Sequence, residues 1–341
     1  MTPQLRPLGR SSVAVAPLGL GCWPLAGMTR AGVTREAAIA TVEAAIVAGI
    51  THLDTAYCYG EHGESELSIR AALDRLGGSA ARNAVVIAGK CGIHWEPAPG
   101  QSPPRRLVVD GRPSRLRTEV EESLARLGTD RLDLLYLHSP DPTVPIEESA
   151  EALQRLKEEG KALAIGLSNG GRTSLERFAS KCQLDACQLP FNMLQREVEA
   201  DILPWCRNHG VSLIAYWPLM KGLLAGKMRR GQTFPATDSR HKYEIFQGDV
   251  FERNLDFVET LRPVAARLSV SLPDLVLAWT MEQPGVTSVL FGATSPEQVA
   301  ENTRALACSL DDEARQAIAA AIHARGPVPG RQLVEAPASS G

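Results

Sequence analysis

The sequence predicts an α/β fold in which eight parallel strands alternate with helices and close into a barrel. Eight short apolar runs lie between Leu18 and Phe291, and stretches with helical periodicity separate nearly all of them. Uninterrupted alternation of this kind is typical of a parallel sheet. Eight strand-helix units need about 250 residues plus insertions, and the chain has 341. We therefore expect a (β/α)8 TIM barrel.

An open, doubly wound sheet is the alternative arrangement of the same elements. That fold would carry a glycine fingerprint after its first strand. The segment that begins at Gly19 has a second glycine at Gly21 but lacks the third. The chain also has no Walker sequence, so a cofactor that bears phosphates would need another set of contacts.

The N-terminal part of the chain predicts a hairpin and the first barrel unit. Residues 5–9 and 13–18 flank Arg10-Ser11-Ser12, which predicts a short N-terminal β-hairpin over residues 4–18. The apolar stretch 18–22 predicts the first barrel strand. Thr34 is a suitable N-cap for a helix over residues 35–48, and Gly49 can end that helix before a strand over 50–53.

The rest of the chain repeats this unit. The remaining strands are predicted over residues 85–88, 132–137, 162–167, 186–189, 211–216 and 286–291. The remaining helices are predicted over residues 65–76, 114–127, 146–159, 173–181, 200–209, 254–268, 272–283 and 297–306. We expect one barrel domain over residues 1–324 and a loose tail, rich in Pro, Gly and Ser, over 325–341.

One segment, residues 92–112, interrupts the alternation. It is rich in Pro, Gly and Arg, shows no periodicity and is too long for a simple connection. It is either a loop over a site or an insertion without contact to substrate. As a loop over a site, it would use Arg105 or Arg106 to recognise a carboxylate or phosphate on the substrate.

Composition narrows the class of protein. A formal net charge of -3, with 44% hydrophobic and 22% charged residues, is the balance of an ordinary globular protein and indicates neither a nucleic acid nor an anionic membrane as partner. The N-terminus lacks the apolar region of a secretory signal, and no apolar run approaches the roughly 20 residues of a membrane span. The seven cysteines match no disulfide framework and no zinc spacing. We expect a reduced, cytoplasmic protein without a metal site, and the oligomeric state stays open.

Chemically active side chains follow three successive predicted strands. Asp54, Lys90 and His138 stand at or just beyond the ends of the second, third and fourth strands, and Tyr59 lies five positions after Asp54. In a barrel, the carboxyl ends of the strands converge on one face. The sequence therefore places an acid, an amine, an imidazole and a phenol in one mouth.

This set of groups suits acid-base catalysis at a carbonyl. Tyrosine has a reference pKa of about 10, and a nearby ammonium lowers that pKa by favouring the phenolate. Lys90 would supply the ammonium, Asp54 would hold Lys90, and His138 would hydrogen-bond a substrate oxygen. We interpret the four residues as a tuned general acid for carbonyl reduction. The alternatives are a structural Asp54-Lys90 ion pair and a structural histidine.

Several motifs extend this interpretation. Residues 49–60 carry Asp54 and Tyr59, residues 87–92 carry Lys90, and residues 134–138 end in His138. Further motifs are Gly-Leu-Ser-Asn at 166–169, Gln-Leu-Pro-Phe-Asn at 188–192 and Ala-Tyr-Trp-Pro-Leu at 215–219. Together with residues 292–302 they resemble the aldo-keto reductase superfamily, most closely its bacterial members and the potassium-channel beta subunits. The resemblance covers nearly the whole chain, from the hairpin to the helix after the last strand.

The resemblance implies NADP(H) as the cofactor, with NAD(H) as the alternative. Trp217 stands where the family has a serine that contacts the pyrophosphate, so backbone NH groups of the next loop would replace that contact. Gln298 stands where mammalian-type reductases have arginine, so Lys227 and Arg240 would meet a 2'-phosphate. The alternative is that both are solvated loop charges. The other cofactor contacts implied are Cys22, Trp23, Asp54, Ser168, Asn169, Gln188, Tyr216, Pro218, Leu219, Gly292, Thr294, Glu301 and Asn302.

Three functions follow from the resemblance. The first is NADPH-dependent reduction of aldehydes or ketones, with Tyr59 as proton donor and an aromatic pocket formed by Trp23, Tyr57 and Trp95. The second is an NAD(P)-dependent sugar or alcohol dehydrogenase. The third is a cofactor-sensing binding subunit with slow turnover. The channel beta subunits carry asparagine where this chain keeps His138, which favours an enzyme.

Overall fold

Eight strands of the computed structural model are parallel neighbours that close on themselves, which confirms the predicted (β/α)8 barrel. The model describes residues 4–29, 32–100, 105–235, 238–328 and 330–337. In chain order the strands are β1 Arg6–Pro7, β2 Ala14–Val15, β3 Leu18–Gly21, β4 His52–Asp54, β5 Val86–Cys91, β6 Ile93–Pro97, β7 Arg105–Val109, β8 Leu132–Leu137, β9 Ala162–Ser168, β10 Ala186–Pro190, β11 Ser212–Tyr216 and β12 Val286–Gly292. Around the barrel the order is β3, β4, β5, β8, β9, β10, β11, β12 and back to β3.

Helices follow most barrel strands and cover the barrel. They are α1 Arg35–Val47, α2 Glu64–Arg75, α3 Ser79–Asn83, α4 Pro113–Leu127, α5 Ile146–Glu158, α6 Arg172–Ala179, α7 Ile202–His209, α8 Gly248–Arg267, α9 Leu272–Glu282, α10 Pro296–Thr303 and α11 Asp312–Arg325. Local signals set their ends. The Thr34 hydroxyl accepts a hydrogen bond from the Ala37 amide at the start of α1, and left-handed Gly128 ends α4. Among the described helices none is alone long and apolar enough to cross a membrane; α8 and α9 meet that measure only as a pair, bent by 92°.

The N-terminal hairpin closes one end of the barrel. Strands β1 and β2 pair antiparallel, as predicted. Arg6 donates hydrogen bonds to the carbonyl oxygens of Met281 and Val286, at the amino end of β12. Leu8 and Val15 pack with side chains of the barrel interior in one buried cluster. The hairpin therefore fills the amino end, and the carboxyl end is left to form a site.

Residues 92–112, which show no periodicity in sequence, contain a pair of strands. β6 and β7 pair antiparallel from Ile93↔Val109 to Pro97↔Arg105. Neither strand alternates apolar and polar residues cleanly, because side chains on both faces are partly exposed. The pair leaves directly after β5, so it rises on the carboxyl face of the barrel.

The C-terminal segment differs from the expected loose tail. Val334 forms an isolated parallel bridge with Gly170 at the carboxyl end of β9. The Glu335 carboxylate accepts hydrogen bonds from the amide and hydroxyl of Ser174 near the start of α6, at 2.9 and 3.0 Å. A carboxylate at a helix N-terminus satisfies free amides and complements the helix dipole. Residues 330–337 therefore dock beside the mouth of the barrel.

Gly166 on β9 leaves room for the Tyr136 ring, which is fully buried. A Cβ atom at position 166 would lie 2.3 Å from two carbons of that ring and 3.0 Å from the Ala186 carbonyl oxygen. We expect Gly166→Ala to lower the free energy of unfolding by about 1–3 kcal/mol, because the interior would be overpacked. Urea denaturation measures the change. Gly21→Ala is the control, since its Cβ atom would be 3.5 Å from the nearest atom. Equal losses in both variants would contradict this account.

His52 predicts how stability depends on pH. Its Nδ1 lies 3.0 Å from the Ser288 hydroxyl, its Nε2 has no partner among the described residues, and burial lowers its pKa to about 4. The unfolded histidine has a pKa of about 6.5 and so binds the proton first. Because only the unfolded chain binds this proton readily, protonation of His52 favours unfolding. The folded state therefore keeps its full stability above about pH 6.5 and loses stability as the pH falls from about 6.5 to about 4. We expect a loss on the order of 3 kcal/mol from this residue.

Urea denaturation of the wild type and His52→Gln between about pH 7 and pH 4 isolates this contribution. The variant should lose less stability across that range, because it lacks the titrating ring. Parallel pH dependence of the two proteins would show that His52 does not account for it.

Candidate active site

Three of the four residues predicted to act in catalysis meet in one buried group at the carboxyl ends of β4 and β5. The Lys90 ammonium lies 2.5 Å from Asp54 Oδ1 and donates to the Thr55 carbonyl oxygen at 3.0 Å and to Tyr59 Oη at 3.2 Å. Lys90 is 2% exposed and Asp54 is 3% exposed. A buried charge is tolerated only when it is paired and hydrogen-bonded. We call Asp54, Tyr59, Lys90 and His138 the tetrad.

His138, directly after β8, completes the tetrad. Its ring stands edge-on to the Tyr59 ring with the centroids 5.7 Å apart. Burial, followed by the charges of Lys90 and Arg331, holds the pKa of His138 well below its usual value. The imidazole is therefore neutral at neutral pH. Its Nδ1 lies 3.6 Å from Cys58 Sγ, and burial raises the pKa of that thiol to about 12. A thiol that donates to Nδ1 leaves the ring proton on Nε2.

The pKa of Tyr59 moves opposite to the expectation. The sequence predicts that Lys90 lowers it, but burial and then the Asp54 carboxylate hold the pKa of Tyr59 well above 10. Desolvation disfavours the phenolate, and in this site that effect exceeds the attraction of the ammonium. The hydroxyl therefore keeps its proton and accepts a hydrogen bond from Lys90, so its own hydrogen is available to a third group.

Residues predicted to bind nicotinamide are hydrogen-bonded to the tetrad. Gln188 on β10 donates to Asp54 Oδ2 at 2.7 Å. Asn169, after β9, donates to the His138 carbonyl oxygen at 2.8 Å and accepts from the Tyr216 hydroxyl at 2.8 Å. The predicted partner Ser168 donates to the Gln188 carbonyl oxygen, and the backbone amide of Cys22 donates to the Asp54 carbonyl oxygen. The strand ends β3, β4, β9, β10 and β11 thus share one polar network.

The loop after β11 is strained. Trp217, Met220 and Lys221 have positive φ angles of 57°, 43° and 51°. These angles are uncommon for residues other than glycine, and they cluster at ligand-binding sites. Such turns also direct backbone amides into concave anion sites. The predicted contacts Pro218 and Leu219 lie inside this loop.

The predicted adenosine contacts lie just before α10 and along it, from Thr294 to Asn302. The Gln298 side-chain oxygen accepts from the Thr294 amide at 2.8 Å, and Asn302 donates to the Gln298 backbone oxygen at 2.8 Å. Gly292 ends β12 beside the 3-10 turn Trp23–Ala26, where its Cβ atom would come within 3.0 Å of Pro24. A helix N-terminus is a suitable position for an anionic ligand group.

The two residues expected to meet a 2'-phosphate already have acidic neighbours. Lys227 is 3.7 Å from Glu301. Arg240 donates from Nε and Nη2 to the Asp238 carboxylate. Each cation therefore offers less net positive charge than the sequence suggested.

The aromatic pocket is only partly as predicted. Trp23 packs edge-on against Tyr59 at 5.1 Å, and the Trp95 indole donates to the Cys58 carbonyl oxygen at 3.0 Å. Tyr57 does not pack with these two side chains. Its hydroxyl donates to Glu122 at 2.7 Å and the Arg126 guanidinium lies 4.4 Å from its ring centre, so its side chain faces α4.

A cavity of about 380 Å³ opens beside Trp95. It is lined by Ala26, Met28, Gly60, Glu61, His62, Glu64 and Trp95. Arg105 donates to Glu61 at 3.1 Å, and Arg106 is 3.7 Å from Glu96. The two arginines are thus paired with carboxylates of the protein, and the acidic lining does not suit an anionic substrate.

Sequence reasoning missed two cations near the mouth. Lys221 lies two positions after the motif that ends at Leu219, and that proximity was a usable signal. Arg331 donates to the Tyr216 hydroxyl at 2.9 Å from the C-terminal segment. Nothing in the local sequence indicated that this segment would reach the mouth.

The residues present fit a nicotinamide dinucleotide. The site has a polar cluster at the ends of β9 to β11, a loop with positive φ angles after β11 and a capped N-terminus of the helix after β12. Amides and hydroxyls suit a carboxamide, and the loop and helix terminus suit phosphates. The barrel and this site define an oxidoreductase that acts at a carbonyl or alcohol.

Comparison with known proteins agrees with this class. The model of the aldo/keto reductase family matches residues 17–323. The chain belongs to the aldo/keto reductase family, and it is an oxidoreductase of the class that uses NAD(P)H for carbonyl reduction.

Curated relatives and solved structures give the neighbourhood within the family. The aldo-keto reductase YhdN of Bacillus subtilis is 35% identical over 290 residues, which cover 85% of this chain and 84% of that protein. The NADH-specific methylglyoxal reductase of Escherichia coli is 35% identical over 314 residues, 90% of this chain and 94% of that protein. The glycerol dehydrogenase AKR11B4 from Gluconobacter oxydans superposes with a TM-score of 0.86 at 32% identity and covers 98% of this chain and 99% of its own.

The Asp54-Lys90 pair predicts a large stability effect. We expect Asp54→Asn to lower the free energy of unfolding by about 3–5 kcal/mol, because Lys90 is left as an uncompensated buried charge. Lys90→Met in the same background should restore part of the loss. Urea denaturation measures both. Glu36→Gln, which removes the exposed partner of Arg75, should leave the midpoint nearly unchanged. A small loss in Asp54→Asn, matching that control, would mean that the pair is solvated.

Proposed function

We propose that this protein reduces small uncharged aldehydes or ketones to alcohols with NAD(P)H, and that Tyr59 donates the proton. The observation that carries the proposal is the Tyr59 hydroxyl, which is buried, protonated and 3.2 Å from an ammonium already paired with Asp54. A general acid needs its proton in place and a nearby charge that stabilises the anion left behind.

The residues divide the work as follows. When bound, the reduced nicotinamide supplies the hydride that the carbonyl carbon accepts. Tyr59 gives its proton to the carbonyl oxygen, and Lys90 stabilises the phenolate that remains until solvent returns the proton. Neutral His138 donates a hydrogen bond from Nε2 to the same oxygen, which orients it. Trp23 and Trp95 form an apolar wall beside Tyr59 that excludes water.

The substrate class follows from charge and from relatives. Glu61 and Glu64 line the cavity beside Trp95, and Arg105 and Arg106 are already paired with carboxylates of the protein. The E. coli relative is named for methylglyoxal and the G. oxydans structure for glycerol, both small and neutral. We therefore propose small neutral oxygenated compounds as substrates, rather than compounds that bear a carboxylate or phosphate.

The cofactor choice follows from the same reasoning. Lys227 and Arg240 both have carboxylate partners, which reduces their attraction for a 2'-phosphate. One 35% identical relative is named as specific for NADH. We propose that the protein uses both NADH and NADPH, and that its affinities for the two cofactors differ only modestly.

Alcohol oxidation is the second candidate, because the structure of a glycerol dehydrogenase superposes over almost the whole chain. Oxidation needs Tyr59 as phenolate to accept the proton. Burial and Asp54 hold the pKa of Tyr59 well above 10, so that form is scarce at neutral pH. Reduction should dominate at neutral pH and oxidation should gain at alkaline pH.

Replacement of Tyr59 tests the proposal. We expect Tyr59→Phe to lower kcat with methylglyoxal by about 10²–10⁴-fold, because the general acid is lost, while the Kd for NADH stays unchanged. Nicotinamide absorbance measures turnover and calorimetry measures Kd. Tyr57→Phe is a matched control two residues away and should retain turnover, since its hydroxyl contacts Glu122. If Tyr59→Phe turns over like the wild type, the proton donor is another group.

A further inference from the structure

Two cations converge on the Trp217 ring at the mouth of the barrel. The Lys221 ammonium is 4.4 Å from the ring centre, and the Arg331 guanidinium carbon is 5.4 Å from it. Lys221 also lies 5.0 Å from the centre of the Tyr243 ring. Lys221 comes from the strained loop after β11 and Arg331 from the C-terminal segment, so two parts of the chain far apart in sequence place like charges together.

This pair has no carboxylate partner in the described part of the chain. No ion pair joins Lys221 or Arg331 to a described acidic side chain, whereas the nearby cations Lys227 and Arg240 are paired with Glu301 and Asp238. Lys221 is held by a hydrogen bond to the Ser239 hydroxyl at 3.3 Å, and Arg331 by one to the Tyr216 hydroxyl at 2.9 Å. Two adjacent cations repel each other, so the arrangement gains most when an anion joins them.

The position of the pair selects the anion. Tyr216 is hydrogen-bonded to Asn169, which contacts His138, so one end of the loop lies at the tetrad. The other end lies at α10, because Lys227 reaches Glu301 there. Along this loop, Lys221 lies between Tyr216 and Lys227. In an extended dinucleotide that reaches from the tetrad to α10, the group between the two nucleosides is the diphosphate.

We propose that Lys221 and Arg331 bind the diphosphate of the nicotinamide dinucleotide. The assignment rests on the cofactor of the proposed function. Guanidinium and ammonium groups are the usual protein partners of phosphate oxygens, and the guanidinium can engage two of them. Arg331 would thereby close the C-terminal segment over the cofactor.

The C-terminal segment is anchored independently of Arg331. Val334 bridges Gly170, and Glu335 binds Ser174 at the start of α6. These contacts, which begin three residues after Arg331, hold the segment in place. Replacement of Arg331 should therefore leave the segment docked.

Proton binding at Lys221 offers a second readout. Burial, and then repulsion from Arg331, lower the pKa of Lys221 to about 8, with Asp238 opposing and Arg240 adding to the shift. Tyr243 packs on the same ammonium. The protonated form binds the anion. Affinity for the dinucleotide should therefore fall as the pH rises through about 8, and this decline should be absent in Lys221→Met.

The test is calorimetric titration of the full chain with NADH, NADPH, ADP-ribose and 2'-AMP. The first three contain the diphosphate and the last contains only a 2'-phosphate. We expect Lys221→Met and Arg331→Met each to raise the Kd for NADH, NADPH and ADP-ribose by about tenfold or more. The factor should be the same for these three ligands. The Kd for 2'-AMP should not change. The variants Lys221→Arg and Arg331→Lys keep the positive charge and should retain much of the affinity for these ligands. Lys242→Met is the matched control, since it removes an exposed cation from the adjacent segment.

Each other outcome overturns the assignment. Weaker binding of NADPH and 2'-AMP alone would assign the pair to the 2'-phosphate. Unchanged Kd values with a raised KM for a carboxylate-bearing aldehyde would assign it to a substrate anion, and no change anywhere would make it structural. Because binding is measured without turnover, a wild type that binds NADH tightly but reduces no carbonyl would contradict only the proposed function.

Discussion

The site depends on the buried pair between Lys90 and Asp54. An ammonium that is 2% exposed must have its three donor directions filled, and Asp54, the Thr55 carbonyl and the Tyr59 hydroxyl fill them. The second oxygen of Asp54 is occupied by Gln188 from the far side of the barrel. One ion pair therefore fixes the positions of groups from β4, β5 and β10. Any carbonyl that reaches Tyr59 meets a hydroxyl whose orientation the pair has already restricted.

A second chain of contacts runs from His138 to the C-terminus. The backbone of His138 accepts from Asn169, whose side chain accepts from Tyr216, whose hydroxyl accepts from Arg331. The backbone of the same C-terminal segment bonds to Asn169 through Val334. The order of the last described residues is thus linked to the side chains that surround the imidazole. A substitution in the C-terminal segment can therefore affect the residues around His138 through this chain of hydrogen bonds.

The tetrad was predictable because it depends on periodicity. Eight alternating strand-helix units predict a barrel, which the structure confirms, and a barrel brings all carboxyl strand ends to one face, where Asp54, Lys90 and His138 lie. Side-chain direction and partner choice are tertiary properties. Tyr57 lies two residues from Tyr59 yet faces Glu122, and Arg240 pairs with Asp238 in its own turn. The direction of the Tyr59 pKa shift was missed for the same reason, because desolvation depends on burial that no local pattern records.

The charges around the mouth of the barrel suit two proposed tasks, which are stabilising a transient anion during the reaction and binding an anionic cofactor. Lys90 is neutralised by Asp54 and His138 is neutral, so the region of the proposed chemistry carries almost no net charge until an oxyanion or phenolate forms. Among the described residues, Lys221 and Arg331 have no ion-pair partner, and they stand over Trp217. A cation that is already paired suits a transient anion, because the pair costs little free energy while the anion is absent. Uncompensated charge suits a permanent anion, which must be attracted from water before any reaction begins. Trp217, where the resemblance implied a small serine, contributes the ring on which both cations rest.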